Sequence, residues 1–210
     1  YAKNMEQLAN KVKRYIFRKT FEEVAKEVPP LRIEDIAFDM SEKERALYDK
    51  IKKELLFSID QEMISKIENP MMVQQTLVKM LVLMELTCSL ELLGKDKEST
   101  KLAVLKERLE DILSDPSLKV IIFTRFKKMA DILVRELAEY EPLVITGEVL
   151  YKEREEARLL FQKDEARRIM ISSDAGGEGL TLNRADIVIH YDLPYSYGKY
   201  FQRNGRARAI

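Results

Sequence analysis

Four short runs rich in Ile and Val, at 119–124, 143–146, 168–172 and 187–191, alternate with segments of helical period near 127–139 and 152–162. Runs this apolar have no polar face to turn to water, so each is expected to be buried on both faces. Short buried strands whose first three members are joined by connections of helix length predict an α/β fold, a parallel sheet with helices on both sides. Ligands of such sheets sit beyond the carboxyl ends of the strands. Those ends carry Thr124 and Arg125, Thr146 and Gly147, Ser172, Ser173 and Asp174, and Tyr191 and Asp192. Four polar strand ends converging on one edge make the best candidate site in the chain.

Ahead of the sheet, residues 1–117 read almost wholly as helix. Leu55, Ile59, Met63 and Ile67 recur at i, i+4, as do Leu77 with Leu81 and Met80 with Met84. Pro29 and Pro30 end a helix at Val28, because a residue before proline avoids the helical region. The broken alternation of 31–38 predicts a short strand. Ser41 with Glu44 three residues on predicts a capping box, opening a helix that runs through Leu56 or beyond. A length of 210 residues allows one core plus a smaller appended unit. The division expected is a mostly helical segment over 1–117 and an α/β lobe over 118–210.

Composition narrows the function classes. Lys plus Arg and Asp plus Glu each total 36, so net charge exerts no pull toward nucleic acid and any polyanion site must be local. Cys88 stands alone, which excludes an intrachain disulfide and a cysteine metal cluster and fits a reducing compartment. His190, also alone and on an apolar strand, is expected to be packed or capping rather than a ligand, and no metal site is predicted. No signal peptide is expected from the polar opening residues, which lack an apolar core segment. No apolar run reaches the roughly 18 residues a membrane helix needs. The expected setting is intracellular, in cytoplasm and nucleoid or in a nucleus, with no membrane partner. A first residue Tyr1 predicts a piece of a longer protein.

Phosphate-binding motifs are mostly eliminated. Gly176, Gly177 and Gly179 follow a strand, but the six residues 180–185 cannot form the crossover helix that a dinucleotide fingerprint requires. Gly94-Lys95 lacks a Walker loop's other elements, with Ser89 where the first glycine belongs and Asp96 where the hydroxyl belongs, so Gly94 reads as a helix-ending glycine. Asp164 and Glu165 precede a strand instead of following one and read as caps. The chain therefore has no triphosphate cradle and no general base of its own. Arg203, Arg206 and Arg208 remain. Bare arginine runs are usually solvated faces. These follow a buried strand and a Leu193-Pro194 turn, on a segment 196–206 that Tyr197, Tyr200 and Phe201 are expected to anchor as a helix. An anchored arginine projecting past the sheet edge can reach a phosphate held by another domain.

At these residues the chain resembles the C-terminal RecA-like lobe of Swi/Snf-type ATPases in helicase superfamily two. Residues 119–126 are similar to motif IV, 172–182 to motif V, 190–194 to the turn after it, and 202–206 to motif VI. Residues 145–148 with the helix from Lys152 resemble the intervening segment. Residues 15–30 and 99–102 resemble the stretches that precede the second helical protrusion and the lobe, so the likeness spans nearly the whole chain.

The resemblance implies a RecA-like parallel sheet preceded by a helical protrusion, and half of a DNA-dependent ATPase and translocase. ATP and Mg2+ would be held mainly by an N-terminal RecA-like lobe, and the isolated fragment would be inactive. Arg206 would be the finger on the transferred phosphate, with Gln202 and Arg203 fixing the segment and the nucleotide. Gly177, Glu178, Gly179 and Asp192 would face ATP. Thr124, Arg125, Gly147, Ser172 and Ser173 would meet the backbone phosphates of one strand of double-stranded DNA, and a protein target of remodelling is a further implied partner. The family has another arginine where this chain has Ala209, with Arg208 one residue early. Either Arg208 substitutes for it, or one finger is missing, or the position was altered. The alternative class is a non-catalytic module, a degenerate RecA-like fold that binds nucleic acid or protein without turning over ATP.

Overall fold

The computed structural model describes residues 4–13, 15–16, 31–65, 70–174 and 184–207. Contacts divide the chain into residues 1–34 with 210, and residues 35–209. The first unit contains α1 (Met5–Val12), with Glu6 in its first turn and Lys11 in its last, signs that complement the helix dipole. The helix stop at Pro29 and Pro30 lies outside the described residues. Residues 31–38 form no strand: among the described residues no segment pairs with them, and Ile33 and Ile36 are exposed. An alternation without a partner strand to complete its hydrogen bonds does not hold an extended ladder.

The second unit opens with α2 (Glu42–Ser65) and α3 (Pro70–Cys88), which pack together, a 3-10 turn at Leu90–Leu93, and α4 (Thr100–Leu113). Gly94 caps the 3-10 turn at φ 65, a left-handed conformation that glycine adopts without a Cβ clash. Helix α3 is apolar on nearly every side, so periodicity does not identify its inner face. Leu83 and Leu86 are buried, whereas Leu77, Met80 and Leu81 are exposed.

The capping box forms and does more than cap one helix. Glu44 Oε2 accepts from the Ser41 amide at 2.9 Å while Ser41 Oγ accepts from the Glu44 amide at 3.3 Å. The same carboxylate accepts from the amide of Thr100 at 3.1 Å and its hydroxyl at 2.5 Å, so the starts of α2 and α4 share one buried anion. Burial pushes the Glu44 pKa up, but hydrogen bonds from Thr100 and Ser41 outweigh it and hold the group below its ordinary value. The unfolded chain therefore binds the proton more readily than the folded one. The stabilisation is complete above the ordinary Glu pKa of about 4.3 and is lost as pH falls through the lowered folded value. Glu44→Gln is expected to cost roughly 1–3 kcal/mol near neutral pH. Thermal melts across pH should show the gap from wild type closing in acid; a gap independent of pH contradicts the shared-cap account.

The sheet contains β1 (Val120–Phe123), β2 (Leu143–Ile145), β3 (Ile169–Ser172) and β4 (Ile187–His190), all parallel in the order β2-β3-β1-β4. Helices α5 (Lys127–Glu136) and α6 (Tyr151–Lys163) are the crossovers predicted between the first three strands. Alternate residues feed opposite layers. Val120, Ile122, Ile169 and Ile171 pack with Leu105 and Leu109 of α4 and with Met129 and Leu133 of α5. Ile121, Phe123, Ile145 and Met170 face Phe161 of α6 on the other side. Each such side chain, fully buried, contributes about 1.5–3 kcal/mol. Only β1 and β3 are buried throughout; β2 and β4 are largely half-buried, because each has a strand on one side alone among the described residues. Just before β1, Lys119 is buried with its ammonium donating to the carbonyls of Phe161 at 2.5 Å and Asp164 at 2.7 Å, which satisfies the end of α6. Asp164 is the C-cap residue there, its amide donating to the Leu160 carbonyl, while its carboxylate accepts from the amide of Ala166 at 2.9 Å in the turn that leads to β3.

Candidate nucleic-acid and nucleotide interface

Parallel alignment puts the carboxyl ends of the strands on one edge, and a cleft of about 400 Å³ opens there. Arg125 and Lys127 line it from beyond β1, Thr146, Gly147 and Glu148 from beyond β2, Ser173 and Asp174 from beyond β3, and Lys199 from helix α7 (Tyr197–Asn204). Of the residues expected at a nucleic-acid edge, the structure brings Arg125, Gly147 and Ser173 together. Thr124 and Ser172 are fully buried instead, with the Thr124 hydroxyl donating to Asp192 at 2.6 Å and the Ser172 hydroxyl to the Ser173 carbonyl at 3.2 Å. Both side chains turn inward because each completes a hydrogen bond that the strand ends require.

Asp192, expected at the nucleotide, is a buried hub. Its carboxylate accepts from the Thr124 hydroxyl and from the Arg125 amide at 3.0 Å, and its carbonyl accepts from Arg203 Nη1 at 2.8 Å. Burial pushes its pKa up, against the opposing pull of the Thr124 and Arg125 donors and the Arg203 charge. This one residue ties β1 to the segment after β4.

Arg125 is held from its other end too. Its guanidinium lies 3.4 Å from the centre of the Tyr195 ring, and Nη1 points at the Met84 sulfur at 3.7 Å, to which the Tyr195 hydroxyl also donates at 3.4 Å. Stacking of this kind orients a cation without neutralising it. Tyr195 carried no motif signal; the only trace in the sequence is an aromatic residue just past the Leu193-Pro194 turn. Across the cleft, Arg154 donates to the carbonyls of Val149 at 2.6 Å and Gly147 at 2.8 Å, which fixes the loop after β2.

Helix α7 starts at Ser196, whose hydroxyl oxygen accepts from the Lys199 amide at 3.3 Å. Its expected aromatic anchors are only partly right. Tyr197 and Phe201 are 78% and 55% exposed, whereas Tyr200 stacks on His190 at 4.8 Å. The buried face is the row Tyr200, Arg203 and Asn204, spaced i, i+3, i+4, and it is led by a cation and an amide that a sequence pattern assigns to the surface. Arg203 is 3% exposed; Nε donates to Asp174 at 2.7 Å and the guanidinium lies over Phe123. Its Nη2 has no hydrogen-bond partner among the described residues. Arg203 Nη1 faces His190 Nδ1 at 3.4 Å, and an arginine only donates, so Nδ1 accepts and Nε2–H donates to Asn204 Oδ1 at 2.7 Å. Burial pushes the His190 pKa down and favours this neutral, packed state, the role expected for the lone histidine.

Gln202 is exposed, and Arg206 is half-buried in the 3-10 turn Gly205–Ala207, which packs against β4. Burial pushes the Arg206 pKa down. Gly177, Glu178 and Gly179, together with Arg208 and Ala209, lie outside the described residues. Among those described, no group of His, Cys, Asp and Glu could hold a metal ion, and no helix is long and apolar enough to cross a membrane. Cys88 is buried, with its thiol pushed up to about 12 by that burial, and is chemically quiet.

Known proteins share this arrangement. Residues 100–209 match the model of the helicase conserved C-terminal domain, and residues 1–92 that of the SNF2-related domain. An uncharacterized ATP-dependent helicase of Mycoplasma genitalium is 29% identical over 217 residues, covering 99% of this chain and 20% of its own length. The chain spans about a fifth of the length of the curated relatives it matches. The C-terminal domain of the Sulfolobus solfataricus SWI2/SNF2 ATPase superposes with a TM-score of 0.62 at 26% identity, over 73% of this chain and 68% of that one. The core of that ATPase in complex with dsDNA shares the fold, with a TM-score of 0.70 at 23% identity over 98% of this chain and 45% of that one. A family model that matches more than half of the chain assigns it: the chain belongs to the helicase conserved C-terminal domain family, as a C-terminal lobe of the Swi/Snf type in helicase superfamily two.

Proposed function

We propose that this chain is the C-terminal motor lobe of a DNA-dependent ATPase and translocase. On this reading residues 1–117 serve as linker and protrusion and 118–210 as the RecA-like lobe. The observation that carries the proposal is the cleft at the strand ends, where Arg125 stands stacked beside Gly147 and Ser173 with no carboxylate on its guanidinium among the described residues. A protein of the same fold has been captured with dsDNA, which supports duplex DNA as the ligand. Arg125, Gly147 and Ser173 hold backbone phosphates of one strand, and buried Thr124 and Ser172 support them from below. Contacts of this type position a duplex without reading its sequence.

ATP binds at the interface with the N-terminal lobe of the same protein, which holds most of the Mg2+ coordination. The buried guanidinium of Arg203, with an unsatisfied Nη2, and the half-buried Arg206 suit a neighbouring polyphosphate. Arg206 acts as the finger on the transferred phosphate, while Arg203 and Gln202 position the segment. Residues 1–210 alone bind duplex weakly and turn over no ATP, since half of the nucleotide site belongs to the other lobe. The proposed setting is intracellular, where duplex DNA is found.

Arg125→Ala tests the DNA half of this reading. Titration of a short labelled duplex at low salt should show affinity falling about tenfold, equally for unrelated sequences, and the slope of log K against log[salt] shrinking by about 0.9. Tyr195→Phe should keep wild-type affinity. An Arg125→Ala variant with unchanged affinity and slope removes this cleft as the DNA site.

A further inference from the structure

Arg125, Lys127 and Lys199 line the cleft, and they differ in how far each is already neutralised; Lys199 faces Asp174 at 4.0 Å. The Arg125 guanidinium pairs with no carboxylate among the described residues; its neighbours are a ring and a thioether. Lys127, the first residue of α5, forms an ion pair with Glu148, which reaches over from the loop after β2. Both side chains are more than half exposed, and a pair of that kind in solvent is held only weakly. The loop that presents Glu148 is not slack, because the two Arg154 hydrogen bonds to Val149 and Gly147 fix it on either side of Glu148. A carboxylate is thus delivered by a clamped loop onto a cleft lysine.

A carboxylate on a lysine has the charge sign and the oxygen donors of a phosphodiester. Given the reading of this cleft as a DNA-backbone site, we infer that Glu148 is an internal competitor that occupies the phosphate position on Lys127. Binding a phosphate there first requires breaking the Lys127–Glu148 pair, so Lys127 contributes little net affinity, and Arg125 carries most of it. The consequence for a translocase is a lobe that grips lightly and lets go between steps. Glu148 is then an affinity-setting residue that neither touches nucleotide nor supports the core.

The test is a gain rather than a loss, which misfolding cannot imitate. Glu148→Gln in the full chain should bind a short fluorescein-labelled duplex roughly three- to tenfold more tightly at low salt, with a salt slope steeper by about 0.9. In a Lys127→Met background the same substitution should change affinity by less than about twofold, because the competition needs both partners. A gain that persists in the Lys127→Met background is a general charge effect and overturns the inference. So does the absence of any gain where wild type binds DNA. Failure of every variant, wild type included, to bind duplex at low salt instead overturns the DNA reading itself, and this inference falls with it.

Discussion

Arg206→Ala in the intact, two-lobed protein is expected to lower DNA-stimulated ATP hydrolysis by about 10³-fold or more, the range over which arginine fingers act in phosphoryl transfer. The loss should appear in kcat, because a finger pairs with charge that develops on the transferred phosphate and adds little to ground-state binding. The fold prepares the residue for this. Its 3-10 turn directly continues α7, whose seat on the sheet is fixed by Tyr200, Arg203 and Asn204. Burial at its site pushes the guanidinium pKa down, and a polyphosphate brought to it by the opposing lobe favours the charged form. Arg206→Lys should not restore turnover, since an ammonium lacks the planar fork. Thermal stability should stay close to wild type. Normal turnover in Arg206→Ala sinks the finger assignment. An intact wild-type protein without DNA-stimulated turnover favours the non-catalytic module.

The largest stability effect is expected at Arg203. Arg203→Ala takes from Asp174 its partner at 2.7 Å and leaves it only Lys199 at 4.0 Å among the described residues, removes the donor to the Asp192 carbonyl at 2.8 Å, and takes the cation off the Phe123 ring. Removing one member of a buried pair typically costs 3–5 kcal/mol, because the other charge is left uncompensated. Here the lower end applies, about 3 kcal/mol, as Asp174 keeps a fifth of its side-chain surface in water. For a domain of this size that corresponds to a fall in Tm of roughly 6–12 °C. Arg203→Lys should recover only part of it, since a single ammonium cannot reach Asp174 and the Asp192 carbonyl with the geometry of a fork. Calorimetry of both variants checks the claim. A Tm within a degree or so of wild type for Arg203→Ala would contradict the burial and pairing described here. A further drop in ATPase activity at a temperature where the variant stays folded separates positioning of the nucleotide from mere stability.

Much of this is legible in the sequence. Ile and Val runs at 119–124, 143–146, 168–172 and 187–191 correspond to the four strands, and the spacers became α5 and α6. Ser41 with Glu44 marked the start of α2, and Gly94, read as a helix-ending glycine, caps the 3-10 turn Leu90–Leu93. Less legible were features in which a polar residue meets a partner far away in the chain. Nothing local links Glu44 to Thr100, Lys119 to the end of α6, or Arg125 to Met84 and Tyr195. The expected strand at 31–38 failed for the complementary reason: alternation describes what a strand looks like, but a partner must be present for it to form.

The polar strand ends and the arginine-bearing segment were determined by sequence alone, because period-two and period-3.6 patterns register which elements form and parallel connection puts their carboxyl ends on one edge. Which of those polar groups face the cleft was decided only by the tertiary structure. Thr124, Ser172, Asp192 and Arg203 went inward to satisfy one another, while Arg125, Gly147 and Ser173 stayed at the rim with Lys127 already paired to Glu148. A buried donor or acceptor must find its partner in three dimensions, and that pairing has no period for a sequence to display.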